Sequence, residues 1–431
     1  MRFGTDGVRG RANTDLTASF ALDLGRASAK VLRASTAVVG GDSRLSTPML
    51  EAAFVAGLAA EGVEVHRLGV TPTPAVAFEA QRLGAMGAVI SASHNPYHDN
   101  GIKLFAVGGA KLPDEVERAI ESQLFRLDPP SGDPGVVHGR GGSSDAYVEH
   151  LHATLAGRDL AGMRVVVDAA NGAASHLAAD VFLRTGAQVV VINDRPDGRN
   201  INDRCGATDV DGLRSVVTAE RAQVGIALDG DADRLIAVDE HGDVVDGDHV
   251  IAICASDLRD RGLLRDDTVV VTVMTNLGFR LAMEAAGIHV VETPVGDRYV
   301  LEALNEHGYS LGGEQSGHVI FSDWATTGDG LLTALVLLDI VQRSGRRLSQ
   351  LAADAMTQLP QVLVNIPVAE RRPDIAAELA DHIAAAQAEL GDTGRILVRA
   401  SGTEPLVRVM VEAPTAELAQ TTADRLAALV R

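Results

Sequence analysis

Cysteine is nearly absent from this 431-residue sequence, which holds two copies, Cys205 and Cys254. They lack metal-ligand spacing and give no disulfide framework, so a disulfide-stapled secreted scaffold is excluded and a reducing compartment is implied. Long hydrophobic runs are also missing. The longest, Leu331 to Leu338, is too short to span a bilayer, and the opening Met1-Arg2-Phe3-Gly4-Thr5-Asp6 lacks the apolar core of a signal peptide, so the expected location is the cytoplasm. Positive charge is scarce. With 38 Lys and Arg against 58 Asp and Glu the net charge is −20, which repels nucleic acid and anionic membranes and excludes both as partners. Any phosphate site must be made locally positive, and the pairs Arg346-Arg347 and Arg371-Arg372 sit among acids as solvated surface. What is present is a globular composition, 46% hydrophobic and 22% charged, on a chain long enough for about three domains and a sizeable core.

Three segments share one grammar: an apolar strand, a polar turn, an amphipathic helix, a glycine, and a second apolar strand. This is the βαβ signature. The first runs from Ala37-Val38-Val39 through Asp42-Ser43-Arg44 into a helix opening at Thr47-Pro48, with Leu50, Phe54 and Leu58 as its buried stripe and Gly62 before Val63-Glu64-Val65. Thr47 is the expected cap and Pro48 suits the first turn. The second runs from Val165-Val166-Val167 through Asn171-Gly172, Leu177, Val181 and Gly186 to Val189-Val190-Val191. The third joins Val269-Val270-Val271, Asn276, the stripe Leu277, Leu281 and Ala285, Gly287 and Val290-Val291. Strands this apolar, alternating with helices, predict parallel sheets covered on both faces.

Each copy continues into another apolar strand that ends in an unusual polar motif. Ser91-Ala92-Ser93-His94-Asn95-Pro96 follows Gly87 to Ile90; Asp229-Gly230-Asp231-Ala232-Asp233-Arg234 follows Val224 to Leu228; the third copy delivers Gly312-Gly313-Glu314-Gln315-Ser316-Gly317-His318. Ligands of parallel α/β sheets gather at the carboxyl ends of strands, so three such domains can aim three loops into one cleft. Ser93 is the candidate nucleophile, with His94, Asn95 and Lys103 as polar groups read on the same short loop. An ordinary polar turn is the alternative for these residue types.

After Leu359-Pro360 the pattern changes to a strand over Val362 to Ile366, an alanine-rich helix over Ala376 to Ala388 and a strand ending at Val398, which predicts a smaller α+β domain. Arg399-Ala400-Ser401-Gly402-Thr403-Glu404-Pro405 follows, then Arg408. Glycine and small hydroxyl residues expose N–H groups and two arginines grip phosphate oxygens, so this is a candidate phosphate clamp. A turn with surface arginines is its alternative. The Gly- and Pro-rich stretch from Pro129 to Ser144 and the turn at His241-Gly242-Asp243 mark two boundaries, and the expected domains are 1–147, 148–245, 246–359 and 360–431.

Asp229, Asp231 and Asp233 alternate within five residues, so three carboxylates can converge on one hard cation, and oxygen-only ligands suit Mg²⁺. The spacing also matches the start of a calcium EF-hand, and Glu240 falls at its twelfth position. Arg234 at the sixth, where glycine is needed, and the strand-like Leu235-Ile236-Ala237-Val238 speak against calcium. A solvated acidic turn is the remaining alternative.

The four motifs, in this order and on this repeat, resemble the α-D-phosphohexomutase superfamily over the whole chain. The opening Phe3-Gly4-Thr5-Asp6-Gly7-Val8-Arg9-Gly10, the loop Tyr97-His98-Asp99-Asn100-Gly101-Ile102-Lys103 and Gln315 are most similar to its bacterial phosphoglucosamine mutase branch. The resemblance implies three mixed α/β domains of βαβ repeats and a smaller C-terminal α+β domain around a central cleft. It implies phosphorylation of Ser93, one Mg²⁺ per active site on Asp229, Asp231, Asp233 and the phosphorylated Ser93, and contact of Glu314 and Ser316 with sugar hydroxyls. By the same resemblance Arg399, Ser401, Gly402, Thr403 and Arg408 hold the phosphate that is not reacting. Ala400 departs from the proline common in this branch.

Such a site passes its phosphoryl group to a sugar hydroxyl and takes another back, with a sugar 1,6-bisphosphate as intermediate and activator. The expected conversion is glucosamine 6-phosphate to glucosamine 1-phosphate, for amino-sugar nucleotide and cell-wall precursor synthesis. Lys103, His94 and His318 are the candidate proton carriers, with Lys103 as general base and Arg9 as a further charge near Ser93. Glucose or mannose phosphate is the alternative substrate. A Mg²⁺-dependent sugar phosphomonoesterase and a non-catalytic sugar-phosphate binding protein are the alternative functions. The expected partner is a small amino-sugar phosphate, and a homodimer is the default assembly.

Overall fold

The computed structural model describes residues 3–4, 6–139, 145–400 and 405–430. They divide into two compact units, residues 1–273 with 288–353, and residues 274–287 with 354–431. Among the described residues no helix is long and apolar enough to cross a membrane.

The first unit contains three sheets. One is built from β1 (Val8–Arg11), β2 (Thr36–Gly41), β3 (Glu64–Val70), β4 (Met86–Ile90), β5 (Asp99–Phe105) and β6 (Val137–His138), in the order β1-β5-β4-β2-β3-β6. The next holds β7 (Arg164–Asp168), β8 (Gln188–Ile192), β9 (Val224–Leu228), β10 (Leu235–Asp239) and β11 (Val244–Val245), ordered β11-β10-β9-β7-β8. The third holds β12 (Thr268–Thr272), β13 (His289–Thr293), β14 (Leu311–Gly313) and β15 (Val319–Phe321), ordered β13-β12-β14-β15. One plan is thus repeated. In each sheet the first strand of the repeat is central, the second lies on one side in parallel, the third lies on the other side in parallel, and a fourth returns antiparallel beside the third.

The antiparallel fourth strand corrects the expectation of parallel sheets throughout. A parallel return needs a crossover of a dozen or more residues. The connections from β4 to β5, β9 to β10 and β14 to β15 hold eight, six and five residues, the span of a hairpin loop. The three polar motifs occupy these loops. Strands β4, β9 and β12 are buried along their whole length, as their apolar runs predict.

Two local readings change. The helix Thr47–Ala60 is entered from Ser46, and the Thr47 hydroxyl donates to Asp42 Oδ1 at 3.0 Å in place of capping. In the helix Leu277–Ala285, capped by the Asn276 side chain, Leu277, Phe279 and Met283 are buried while Leu281 is 42% exposed. A Cβ on Gly278 would come within 1.9 Å of the Thr357 carbonyl oxygen, so this close approach sets the helix rotation and turns Leu281 outward.

The second unit contains a three-stranded antiparallel sheet of β16 (Gln361–Pro367), β17 (Arg395–Ala400) and β18 (Leu406–Glu412), ordered β16-β18-β17. Its core joins Val407, Val409 and Val411 to Ala419, Ala423 and Leu426 of the helix Ala416–Val430. The expected alanine-rich helix is in two pieces, Ile375–Glu378 and Ala380–Leu390, which meet at Leu379.

Candidate active site

Ser93 lies in the loop after β4, buried, with φ at 52°, a left-handed conformation that costs energy for any residue with a Cβ. Neighbouring groups hold it there. Its N–H donates to Ser91 Oγ at 2.9 Å, and its carbonyl accepts from Arg44 Nη2 at 2.7 Å and Asn202 Nδ2 at 2.9 Å. Arg44 is fully buried and pairs through Nε with Asp42 Oδ2 at 2.7 Å, while Arg44 Nη1 reaches the Asp99 carbonyl at 3.1 Å. Asp42 Oδ2 also accepts from Ser91 Oγ at 2.6 Å. The turn Asp42-Ser43-Arg44 is therefore a clamp on the serine loop.

The second loop packs against the first. A Cβ on Gly230 would come within 2.4 Å of the Ser93 carbonyl oxygen, so only glycine lets the two backbones approach this closely. The Ser93 hydroxyl donates to Asp229 Oδ2 at 2.6 Å, and His94 Nδ1 lies 3.2 Å from the Ser93 oxygen. Asp229, Asp231 and Asp233 are 1%, 0% and 4% exposed, and each offers a carboxylate oxygen within 4.8 Å of the others. Such burial removes the solvated acidic turn as a reading. The strand β10 begins within the twelve residues that an EF-hand loop would need, which removes the EF-hand reading.

Asp231 Oδ1 and Asp233 Oδ1 are buried with no hydrogen-bond partner among the described residues. A buried carboxylate oxygen without a hydrogen bond is costly, and although His318 Nδ1 and Arg234 Nε approach Asp233 Oδ1 at 3.6 and 3.7 Å, two such oxygens in a three-carboxylate, oxygen-only set fit a hard divalent cation such as Mg²⁺.

Lys103 is not on the serine loop but on β5, opposite Val89 of β4, because the chain has already turned back. Its ammonium lies 2.8 Å from Asp231 Oδ2, 3.2 Å from Asp233 Oδ2 and 2.8 Å from Asp6 Oδ2. Burial alone pushes Lys103 down, but Asp231, Asp233 and Asp6 outweigh it and hold the group well above the ordinary lysine value. Lys103 therefore sits here as an ammonium. It accepts a proton only after it has given one up.

The neighbouring carboxylates diverge for the same electrostatic reasons. Burial, then Asp233 and Asp231, push Asp229 well above the usual range. Burial pushes Asp233 up as well, yet Lys103 and His318 overcome it and hold Asp233 well below that range. Burial also raises Asp6, and Lys103, Lys111 and Arg9 more than offset it. Arg9, on β1 opposite Gly101 of β5, pairs with Asp6.

His318, on the third loop, is buried with Nδ1 3.6 Å from Asp233 Oδ1. The Gly328 N–H donates to its Nε2 at 3.1 Å, which leaves the ring proton on Nδ1 facing Asp233. Glu314, half-buried, accepts from the Gly296 N–H at 3.1 Å, and the exposed Ser316 hydroxyl lies 3.4 Å from Glu314 Oε2. Leu235 N–H donates to the Gly317 carbonyl at 3.0 Å, tying the third loop to the second. Ser93, His94, Lys103, Arg9, the three aspartates and His318 thus form one connected cluster.

In the second unit Arg399 of β17 and Arg408 of β18 stand directly opposite each other. Burial and then Arg408 push the Arg399 guanidinium down, and Arg408 Nε is buried without a hydrogen-bond partner among the described residues. Like charges facing across a strand pair repel, and an anion relieves them. Ser401, Gly402 and Thr403 lie outside the described residues.

Several participants escaped the sequence reading. Asp6 and Arg234 lay inside quoted motifs without a role. Thr73, whose hydroxyl donates to Asp231 Oδ2 at 2.6 Å, gives no local signal, nor does Lys111, whose ammonium lies 2.6 Å from Asp297 Oδ1.

Four domain models of one family match in sequence order. They are those of phosphoglucomutase/phosphomannomutase, alpha/beta/alpha domains I, II and III over residues 1–130, 145–242 and 246–359, and its C-terminal domain over residues 363–429. The chain belongs to the phosphoglucomutase/phosphomannomutase family. Among curated family relatives, proteins named phosphoglucosamine mutase from Frankia alni and Streptomyces coelicolor are 56% and 54% identical, each over 100% of this chain and 98% of their own length. Among solved structures, a phosphoglucomutase/phosphomannomutase family protein from Burkholderia thailandensis has a TM-score of 0.84 at 26% identity, covering 99% of this chain and 97% of its own.

In this family member Arg44→Met should lower the unfolding midpoint by the equivalent of about 3–5 kcal/mol, because Asp42 keeps its hydrogen bonds from Ser91 and Thr47 but is left buried without a cation. Urea unfolding checks it, and an unchanged midpoint overturns the clamp. A second expectation concerns His94. Burial, then Arg234 and Arg9, push its imidazole down to about 4 from 6.5, against Asp231 and Asp233. The folded chain then holds fewer protons here than the unfolded chain between those values, so this residue's contribution to stability is present above pH 6.5 and lost as pH falls through 4. NMR of selectively labelled histidine should show His94 titrating near 4, and a midpoint near 6.5 refutes the assignment.

Proposed function

We propose that this chain is a phosphoserine-dependent mutase that interconverts glucosamine 6-phosphate and glucosamine 1-phosphate, supplying amino-sugar nucleotide and cell-wall precursor synthesis. The observation that carries the reading is the Ser93 hydroxyl, buried and 2.6 Å from Asp229 in a three-carboxylate loop. Full-length relatives named phosphoglucosamine mutase support the choice of an amino sugar.

Asp229, Asp231 and Asp233, with an oxygen of phosphorylated Ser93, would hold one Mg²⁺, which when bound supplies charge to offset the phosphoryl oxygens. In the first transfer the phosphoserine P–O bond breaks and a bond forms to the sugar hydroxyl oxygen, while Lys103 gives a proton to the departing Ser93 oxygen and takes the sugar hydroxyl proton in its place. A sugar 1,6-bisphosphate results and reorients. In the second transfer Ser93 takes back the other phosphoryl group, its hydroxyl proton passing to Lys103 as Lys103 gives one to the leaving sugar oxygen. Lys103 is thus an ammonium before and after each transfer, the state that its carboxylate cage favours. His94, Arg9 and His318 set charge and orientation around the transfer. Glu314 and Ser316 bind sugar hydroxyls, and the segment from Arg399 to Thr403 with Arg408 grips the phosphate that is not reacting. Ser93 is shielded from water, which favours return of the phosphoryl group to sugar over hydrolysis.

Ser93→Ala should abolish turnover by several orders of magnitude while leaving the melting temperature near that of the parent, and substantial residual mutase activity would sink the nucleophile. The deciding measurement of substrate is kcat/KM for glucosamine 6-phosphate over glucose 1-phosphate, with Mg²⁺ and the matching bisphosphate present. A ratio well above one is expected. A ratio well below one moves the enzyme to hexose phosphates, and steady phosphate release makes it a phosphomonoesterase.

A further inference from the structure

A second group of metal-ligating side chains lies on the first sheet, and none of its members takes part in the site above. Glu64 and His66 are two residues apart on β3, and His138 on β6 is the parallel partner of His66. Side chains two apart on a strand share a face, and paired residues of neighbouring strands do too. All three side chains therefore project together. The two imidazoles stack with centroids 4.6 Å apart and 14° between planes. Both turn the same nitrogen to the same carboxylate oxygen: His138 Nε2 lies 2.6 Å and His66 Nε2 3.6 Å from Glu64 Oε1. The three ligand atoms fall within 4.8 Å of one another.

We propose that Glu64, His66 and His138 form a binding site for a borderline divalent transition ion of the Zn²⁺ or Cu²⁺ class. Two imidazoles and one carboxylate are the donor set of such ions, whereas the all-oxygen aspartate loop suits Mg²⁺. The side chains are about half exposed, which leaves the remaining coordination positions to water. Ligand atoms within 4.8 Å of one another also distinguish the set from three scattered surface groups. The site fastens a weak point of the fold. Strand β6 is two residues long and belongs to the segment between the first two matched domains, so a metal bound to both strands pins that connection to the sheet edge.

The test uses the untagged chain, freed of transition metals and held in excess Mg²⁺ to occupy the aspartates. Cu²⁺ added below one equivalent should give a pulsed EPR spectrum with two coordinated imidazoles. His66→Gln or His138→Gln should reduce this to one, and the double variant to none, with Zn²⁺ affinity falling more than about tenfold per substitution. Mutase activity in Mg²⁺ alone should stay at the parent level. Should a variant fold poorly, Zn²⁺ protection of His66 and His138 in the parent chain from diethyl pyrocarbonate, mapped by mass spectrometry, reads the same contact. Copper without imidazole coordination, a double variant with the parent spectrum, or unprotected histidines would each overturn the site.

Discussion

Burial of the Asp229, Asp231 and Asp233 carboxylates in one place is the constraint on which the first unit depends. Three buried acids cannot be sustained by one loop, because each needs a cation or a donor to replace the water it gives up. The partners come from elsewhere in the chain: Lys103 from β5, Thr73 from the start of a crossover helix, His318 from the third loop and the Ser93 hydroxyl from the first. Each contact joins segments distant in sequence. Compensation of charge is therefore also the force that selects how the three repeats meet, and a repeat misplaced by a few ångströms would leave a buried charge uncompensated.

The repeat topology makes such a meeting attainable. Every copy sends its third parallel strand into a short polar loop and returns antiparallel. A hairpin-length loop between two buried strands has little freedom, so its side chains are placed by the sheet rather than by their own packing. Close backbone approach tightens the arrangement further, with Gly230 against the Ser93 carbonyl. Rigid strands thus carry polar groups to a point that flexible loops would not hold, which is what phosphoryl transfer by positioning and charge requires.

Much of this was legible in the residues. The three βαβ copies, the glycines ending their helices and the buried valine runs follow from local periodicity, and the spacing of the alternate aspartates let three carboxylates converge while leaving a solvated turn and an EF-hand open as alternatives. What stayed hidden depends on contacts distant in sequence. Nothing near Asp42-Ser43-Arg44 reveals that Arg44 will be fully buried beneath Ser93, since the turn is ordinary until the serine loop lies on it. Nor does the context of Lys103 reveal a carboxylate cage, because two of its three partners sit more than a hundred residues away. The Leu277, Leu281 and Ala285 stripe failed for a similar reason: the Thr357 carbonyl against Gly278, about eighty residues on, sets the helix rotation.

The electrostatics of the whole chain and of its sites point in opposite directions, and the difference is one of range. At a net charge of −20 the molecule repels an approaching sugar phosphate, but that field is screened within roughly 8 Å at physiological salt. Inside that distance the local groups dominate. Arg9, Lys103 and Arg234 stand around the serine and aspartate loops, and the opposed pair Arg399 and Arg408 concentrates two positive charges on one strand pair with no acid directly opposite. Placing cations side by side costs stability, and a bound anion would offset that repulsion. A chain with a net charge of −20 can in this way keep a few locally positive places, because screening confines each group's field to its own neighbourhood.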